Sequence, residues 1–236
     1  MSERARTLRV GGFVPFTATD YPDALAAVVF CQGCPWRCAY CHNPHLVPAQ
    51  PSQAHDMGAI LDWLGTRRGL LDAVVFSGGE PTAQAELSDA IGAVEALGFA
   101  VGLHTSGAYP RRLAKVLPRV SWVGIDVKAP QARYAAVTGI PGSGGSALAS
   151  LDLVLAAGKA YEVRTTVHPG LTDGDALTEL ARELAARNVI RWIVQPFRPT
   201  GCANETLVAA APRGVTLAEA LLARLSEHVP IIEVRG

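Results

Sequence analysis

The chain has 236 residues, 21 Lys+Arg against 21 Asp+Glu, and 49% hydrophobic residues. That length buries a full core without disulfide staples, and a zero charge balance with 18% charged residues excludes a disordered chain and a general electrostatic grip on nucleic acid or anionic lipid. No apolar run reaches the roughly 18 residues of a membrane-spanning helix, and Met1-Ser-Glu-Arg-Ala-Arg lacks a signal-peptide core. The expectation is a cytoplasmic protein with reduced thiols and neither nucleic-acid nor membrane partners.

In chain order, residues 25–30 form a compact apolar run that predicts a buried strand. Met57, Ile60, Leu61 and Leu64 then follow the i, i+3, i+4, i+7 spacing of an amphipathic helix. A second strand is predicted over 73–76. Leu87, Ile91, Val94 and Leu97 keep helical spacing, with Gly98 as the cap. A third strand over 99–103, a short helix near 111–117 and a fourth strand over 122–127 follow. Ser146 reads as the cap of a helix carrying Leu148, Leu151 and Leu155 and ended by Gly158. A fifth strand covers 161–167, Leu177, Leu180 and Leu184 make a helix stripe, and a sixth strand covers 191–194. Thr216 and Glu219 have capping-box spacing at the start of a last helix through Leu225, and 231–234 reads as a terminal edge strand. Residues 139–145 and 197–214, rich in Gly, Pro and Ala, read as surface loops. Strands alternating with helices predict parallel βα units in an α/β fold: a six-unit open barrel or a doubly wound sheet, in one domain over 1–236 with a C-terminal helix and edge strand in 215–236.

The unusual polar residues fall directly after these strands. Clustered cysteines follow the first, Ser77-Gly78-Gly79-Glu80 the second, and His104-Thr105-Ser106-Gly107 the third. Asp126 and Lys128 end the fourth, His168 the fifth, and Gln195-Pro-Phe197 follow the sixth. In parallel α/β folds the site lies at these carboxyl ends, so separate segments converge on one rim.

Cys31, Cys34, Cys38 and Cys41 run C-x2-C-x3-C-x2-C. One reading is a four-thiolate zinc site, for which three residues between the pairs is tight. The subset Cys34-x3-Cys38-x2-Cys41 can instead hold three irons of a [4Fe–4S] cluster and leave the fourth open to a ligand. Cys34-Pro-Trp-Arg-Cys38-Ala-Tyr-Cys41, within a loop over 31–45, resembles the cluster loop of the radical S-adenosylmethionine (SAM) superfamily, and Ser77-Gly-Gly-Glu80-Pro81 follows about one βα unit later. The resemblance implies a partial (βα)6 open barrel, a [4Fe–4S] cluster on Cys34, Cys38 and Cys41, and reductive cleavage of SAM.

The resemblance also implies roles for the rim. The Gly78-Gly79-Glu80 segment with Ser77 would meet the SAM amino group. Asp126 and Lys128, which share a side of their strand end, would lie near its carboxylate or ribose. Thr105 and Ser106 would reach the methionine or ribose portion, and Tyr40 the adenine. Arg164 and His168 share one strand face by the same parity and are further candidates. Each has a plainer reading: a structural ion pair for Asp126–Lys128, a satisfied structural histidine for His168, packing for Tyr40. Cys31 reads as a buried strand-end hydrophobe, with a fourth thiol near the cluster as the alternative. His42 and His45 would cap the loop or face a partner, and Cys202 is a free thiol.

Asp20-Tyr-Pro22, His42-Asn43-Pro44, Asp126-Val-Lys128, Arg164-Thr-Thr-Val167 and Gln195-Pro-Phe-Arg-Pro199 resemble the activating enzymes of glycyl radical enzymes, most closely those of anaerobic ribonucleoside-triphosphate reductase. That likeness implies a protein substrate, hydrogen abstraction from one partner glycine, and a flavodoxin-type electron donor. Cys31, where similar sequences have a small residue such as threonine, and Asp23, where they tend to have glycine, depart from the pattern. The competing expectations are a radical SAM enzyme acting on a small molecule, such as a 7-carboxy-7-deazaguanine synthase, and a zinc-binding module without catalysis.

Overall fold

The short apolar runs become parallel strands because each is followed by a helix long enough to return the chain to the same end of the sheet. The computed structural model describes residues 3–51, 54–211 and 217–235. Its strands are β1 (Val10–Thr17), β2 (Ala26–Cys31), β3 (Ala73–Gly78), β4 (Ala100–Thr105), β5 (Trp122–Asp126), β6 (Ala160–Val167), β7 (Arg191–Pro196) and β8 (Ile231–Val234). They form one sheet in which spatial order equals chain order. β1 is antiparallel to β2, and every later pair is parallel. The helices are α1 (Glu3–Arg6), α2 (Met57–Gly65), α3 (Leu87–Ala96), α4 (Pro110–Val116), α5 (Tyr134–Thr138), α6 (Ser143–Ala156), α7 (Gly174–Ala185), α8 (Glu205–Ala209) and α9 (Glu219–Ser226). The architecture is the expected open α/β barrel, with β1 and β8 as its edges.

Local chemistry explains the helix starts. The Asp56 carboxylate accepts from the Gly58 N–H at 2.7 Å and opens α2; the Asp173 carboxylate accepts from the Ala176 N–H at 2.8 Å and opens α7. The stripes Met57/Ile60/Leu61/Leu64 and Leu177/Leu180/Leu184 are buried against the sheet, each such side chain contributing about 1.5–3 kcal/mol. The sheet has two apolar faces. The outer one meets the helices; the inner one holds a smaller cluster of Ala26, Val28, Ala73 and Val75, with Tyr21, Phe30 and Ala100 against it.

Three features differ from the sequence expectation. β1 was not expected, because Gly11-Gly12 and Pro15 break any strand pattern; proline is tolerated there since the strand is an edge with a register shift between Val14 and Thr17. α6 starts at Ser143, inside the 139–145 stretch read as a loop. Gly142 turns the chain at φ 78°, and a Cβ at Gly144 would stand 2.9 Å from the Gln131 carbonyl, so glycine permits both the turn and the close approach. α8 lies within the stretch 197–214 also read as loop; residues 212–214 of that stretch and Thr216 lie outside the described residues. Among the described residues no helix is long and apolar enough to cross a membrane.

Candidate active site

The cysteine loop is held by its own backbone. The Gln32 amide donates to the carbonyls of His45 (3.0 Å) and Pro48 (2.7 Å), and the N–H groups of Gly33 and Cys34 donate to Leu46 (2.8 Å) and Val47 (3.1 Å). Arg37 and Ala39 donate N–H groups to the last turn of α5, at Thr138 and Val137, both at 2.9 Å. The glycine pair at the end of β3 serves this loop. Gly78 has φ 107°, and a Cβ there would lie 2.6 Å from the Cys31 nitrogen; a Cβ at Gly79 would lie 2.5 Å from the Gly33 carbonyl oxygen. Only glycines let the loop settle this closely on the strand end.

Cys34, Cys38 and Cys41 open on one cavity of about 210 Å³ at the carboxyl ends of the strands. None is in a disulfide. Burial pushes the Cys34 thiol up to about 12 and raises Cys38 as well. Desolvated thiols of this kind become thiolates only when a metal replaces the proton. Three soft sulfur donors on one short loop suit iron–sulfur ligation, one thiolate per iron. Among the described residues no three or more His, Cys, Asp or Glu converge on a single-ion site.

Charged groups line the cavity from β5 and β6. The Lys128 ammonium bonds the Asp126 carboxylate at 2.8 Å, and the Asp126 side chain remains 44% exposed. Burial would raise the Asp126 carboxyl, but Lys128 outweighs it and holds the group below the usual carboxylate range; Lys128 in turn stays protonated despite its burial because Asp126 is beside it. The Lys128 ammonium also stands 5.6 Å from the centre of the Tyr40 ring. The Tyr40 hydroxyl is buried without a partner. Arg164 lines the floor with its guanidinium 5.0 Å from the Trp122 ring centre. His104 donates Nε2–H to the Asp20 carbonyl at 2.9 Å, a tautomer assigned from that bond, and its Nδ1 faces the Ser77 hydroxyl at 3.3 Å. Burial first, then Arg164, lowers His104 to about 4, so the ring is neutral at physiological pH.

The expected site residues divide into two groups. Cys34, Cys38, Tyr40, Cys41, Ser77, Gly78, Gly79, Thr105, Ser106, Asp126, Lys128 and Arg164 share the cavity wall. Glu80 and His168 do not. Glu80 is fully buried and its carboxylate accepts from five donors: the Thr82 N–H and hydroxyl (3.0 and 2.5 Å), the Thr105 hydroxyl (2.7 Å), and the Ser106 N–H and hydroxyl (2.8 and 2.5 Å). It ties the end of β3 to the end of β4, and the Thr105 and Ser106 hydroxyls are engaged with it. His168 is 1% exposed; its Nδ1 accepts from the Gly170 N–H and its Nε2–H donates to the Leu207 carbonyl, both at 3.0 Å, so it anchors α8 to the end of β6.

Cys31 is buried in the outer core and lies off the cavity wall. His42 does line it, with Nε2 2.9 Å from the Arg198 carbonyl and its ring stacked on Phe197. Cys202 directs its thiol at the Ala39 carbonyl, 3.8 Å away. The chain after β7 thus braces the cysteine loop. Trp36, Asn43 and Thr166 also line the cavity without having been expected there. Thr166 was legible by strand parity, two residues after Arg164.

Comparisons with known proteins agree with this geometry. The family model described as the Radical SAM superfamily matches residues 28–182. A Methanocaldococcus jannaschii protein provisionally named as the glycyl-radical enzyme activating enzyme MJ1227 is 28% identical over 205 residues, covering 83% of this chain and 82% of its own. The pyruvate formate-lyase-activating enzyme of Streptococcus mutans is 29% identical over 230 residues, 85% of this chain and 83% of its own. Among solved structures, Streptococcus suis SuiB bound to S-adenosylmethionine superposes with a TM-score of 0.63 at 15% identity, over 87% of this chain and 48% of that one, a likeness of fold. With the family model spanning most of the sheet and the whole cysteine loop, the chain belongs to the radical SAM superfamily, whose cofactors are a [4Fe–4S] cluster and S-adenosylmethionine.

Proposed function

We propose that this protein is a glycyl radical enzyme activating enzyme, with Cys34, Cys38 and Cys41 as the iron ligands and anaerobic ribonucleoside-triphosphate reductase as its partner. The observation that carries the chemistry is the placement of three unbridged thiols across one cavity from the Asp126–Lys128 pair and Arg164. The names of relatives that align over more than four-fifths of this chain support the activase class. The segments Asp20-Tyr-Pro22, His42-Asn43-Pro44 and Gln195-Pro-Phe-Arg-Pro199 support the partner. The reading includes one catalytic domain over 1–236, a cytoplasmic setting and a flavodoxin-type electron donor.

When bound, the cluster and SAM supply reductive cleavage to methionine and a 5′-deoxyadenosyl radical, which takes a hydrogen atom from the partner glycine. The chain's own residues hold and orient the reactants. Lys128 and Arg164 would hold the SAM carboxylate with their cations, and Asp126, ionised beside Lys128, would accept from an ammonium or ribose hydroxyl. Gly78 and Gly79 offer backbone groups where no side chain intrudes. The Tyr40 ring, on the cavity wall, would lie against the adenine.

The test is anaerobic reconstitution with iron and sulfide, reduction with dithionite, and assay of 5′-deoxyadenosine from SAM. About four irons per chain and product formation are expected, with Cys38→Ala losing iron and at least about a thousandfold of the activity. Addition of the reductase should then give a glycyl radical doublet in electron paramagnetic resonance. Zinc uptake without iron overturns the chemistry. SAM cleavage without a doublet on the reductase overturns the partner.

A further inference from the structure

The inner face of β6, β7 and β8 carries a charge network that reaches the cavity from below. Strand register puts its members on one face: Arg164 pairs with Ile193, which pairs with Glu233, and Glu162 and Arg191 lie two residues before Arg164 and Ile193 on their own strands. Glu162 is 2% exposed. Its Oε2 accepts from Nε and Nη2 of Arg164, both at 3.2 Å, and from Nη1 of Arg235 at 3.1 Å, while its Oε1 accepts from Nη2 of Arg235 at 3.0 Å. Glu233 holds the other side of the two outer arginines, at 2.6 Å from Arg191 and 3.1 Å from Arg235. Three arginines face two carboxylates, so the network carries one excess positive charge.

That excess is directed at the cavity. Two of the three guanidinium nitrogens of Arg164 are fixed on Glu162. The third, Nη1, stands 3.3 Å from Nε2 of His104. The same Nε2 donates its proton to the Asp20 carbonyl and has no lone pair to offer. Among the described residues Nη1 has no oxygen acceptor, and Arg164 lines the cavity, where a carboxylate or carbonyl oxygen of a ligand would supply one. Burial opposes the charge on Glu162, but Arg235 and Arg164 outweigh it and keep the carboxyl below its usual range.

We infer that Arg235, at the end of the C-terminal strand, is a positioning residue for SAM: through Glu162 it fixes the guanidinium of Arg164 so that Nη1 meets the SAM carboxylate. Glu233 does the same less directly, by holding Arg235 and Arg191. A bidentate arginine is suited to this role because it grips both carboxylate oxygens of Glu162 in one plane, which a lysine cannot. β8 is thereby more than an edge: Glu233 and the residue that follows the strand, Arg235, brace Arg164 from behind the cavity wall. The inference rests on the reading of Arg164 as a SAM contact, and is independent of the partner protein.

The experiment measures SAM binding by calorimetry on the reconstituted, unreduced protein, with iron content and melting temperature recorded for each variant. Arg235→Gln should weaken SAM about tenfold, the loss of roughly one charge-assisted hydrogen bond, with iron content unchanged. Arg235→Lys should recover part of the loss, and Glu233→Gln, the milder variant, should weaken SAM about threefold. Arg164→Gln with Arg235→Gln should bind no more weakly than Arg164→Gln alone. If Arg164→Gln weakens SAM but Arg235→Gln and Glu233→Gln stay within about twofold of wild type, or if the losses multiply in the double variant, the positioning role is overturned while the SAM contact stands. If Arg164→Gln itself binds SAM normally, the SAM contact fails and the inference with it.

Discussion

The two sides of the barrel solve opposite problems with the same strand geometry. On the β2–β4 side the inner face is apolar, and its polar groups at the rim are engaged with one another: Glu80 satisfies five donors, and Gln32 and Gln84 stitch the loop to Arg9. On the β5–β8 side the inner face is charged, and its rim groups keep donors or acceptors directed at the cavity, as at Asp126 and Arg164. The first side holds a backbone loop still so that three thiols keep their places. The second supplies charge to whatever lies between. A residue's contribution therefore follows from its side of the barrel more than from its residue type.

The two acidic residues of the rim test this contrast most severely. Glu80→Ala leaves five buried donors without an acceptor and should cost about 3–5 kcal/mol. Urea denaturation should show that loss, accompanied by poorer iron incorporation as the loop loosens. Asp126→Asn, by contrast, keeps an oxygen acceptor for the buried Lys128 ammonium but removes its counter-charge; it should cost about 1–2 kcal/mol, less than Glu80→Ala, and should weaken SAM binding while iron incorporation holds. A Glu80→Ala protein of wild-type stability that fails to bind SAM would erase the distinction between the two sides.

His104 sits at the seam, on β4 but facing Arg164, and sharpens the comparison through pH. Its folded pKa of about 4 lies below the unfolded 6.5. Between these values the unfolded chain binds more protons, so stability is fully present above 6.5 and falls as pH drops toward 4. Asp126, held below its usual range, stays ionised across that window and contributes none of the change. The full effect is at most about 3 kcal/mol, about 2 kcal/mol of it by pH 5. Urea titrations from pH 7 to pH 5 should show it, and His104→Gln should flatten the profile. An unchanged profile in that variant would mean that His104 takes up its proton at the unfolded value, beside Arg164, and that burial and Arg164 do not hold the ring neutral.

The strands β2 to β5 were legible in the sequence because a parallel strand covered on both faces is a continuous apolar run, and β6 and β7 because β-branched and aromatic residues alternate there with the charged ones. The cavity was legible because polar residues sit just past those runs, at the carboxyl ends. Two things were not legible. β1 lacks any periodic pattern, since an edge strand with Gly11, Gly12 and Pro15 needs burial on one side only. The partners of buried charges were hidden as well: Glu80 bonds residues 25 and 26 positions away, and Glu162 bonds Arg235 73 positions away. Such pairings depend on strand register and parity, which no local spacing encodes.

Cys31 gives the smallest expected effect and the finest discrimination, because it is the one cysteine of the cluster motif on the wrong face. Ala27, Val29 and Cys31 alternate with Val28 and Phe30 along β2, and the first set packs in the outer core while Val28 and Phe30 belong to the inner cluster. Its sulfur is thus turned toward the helices and off the cavity wall. Burial raises its thiol well above the ordinary range, so it stays a neutral, hydrophobic group. Cys31→Ala should cost about 1 kcal/mol for the small void it leaves, and Cys31→Ser more, because a buried hydroxyl there needs a partner. Both should keep wild-type iron content and SAM cleavage. Iron loss from Cys31→Ala at unchanged melting temperature would mean that the loop can present a fourth thiolate, and that parity along β2 does not separate core from cavity.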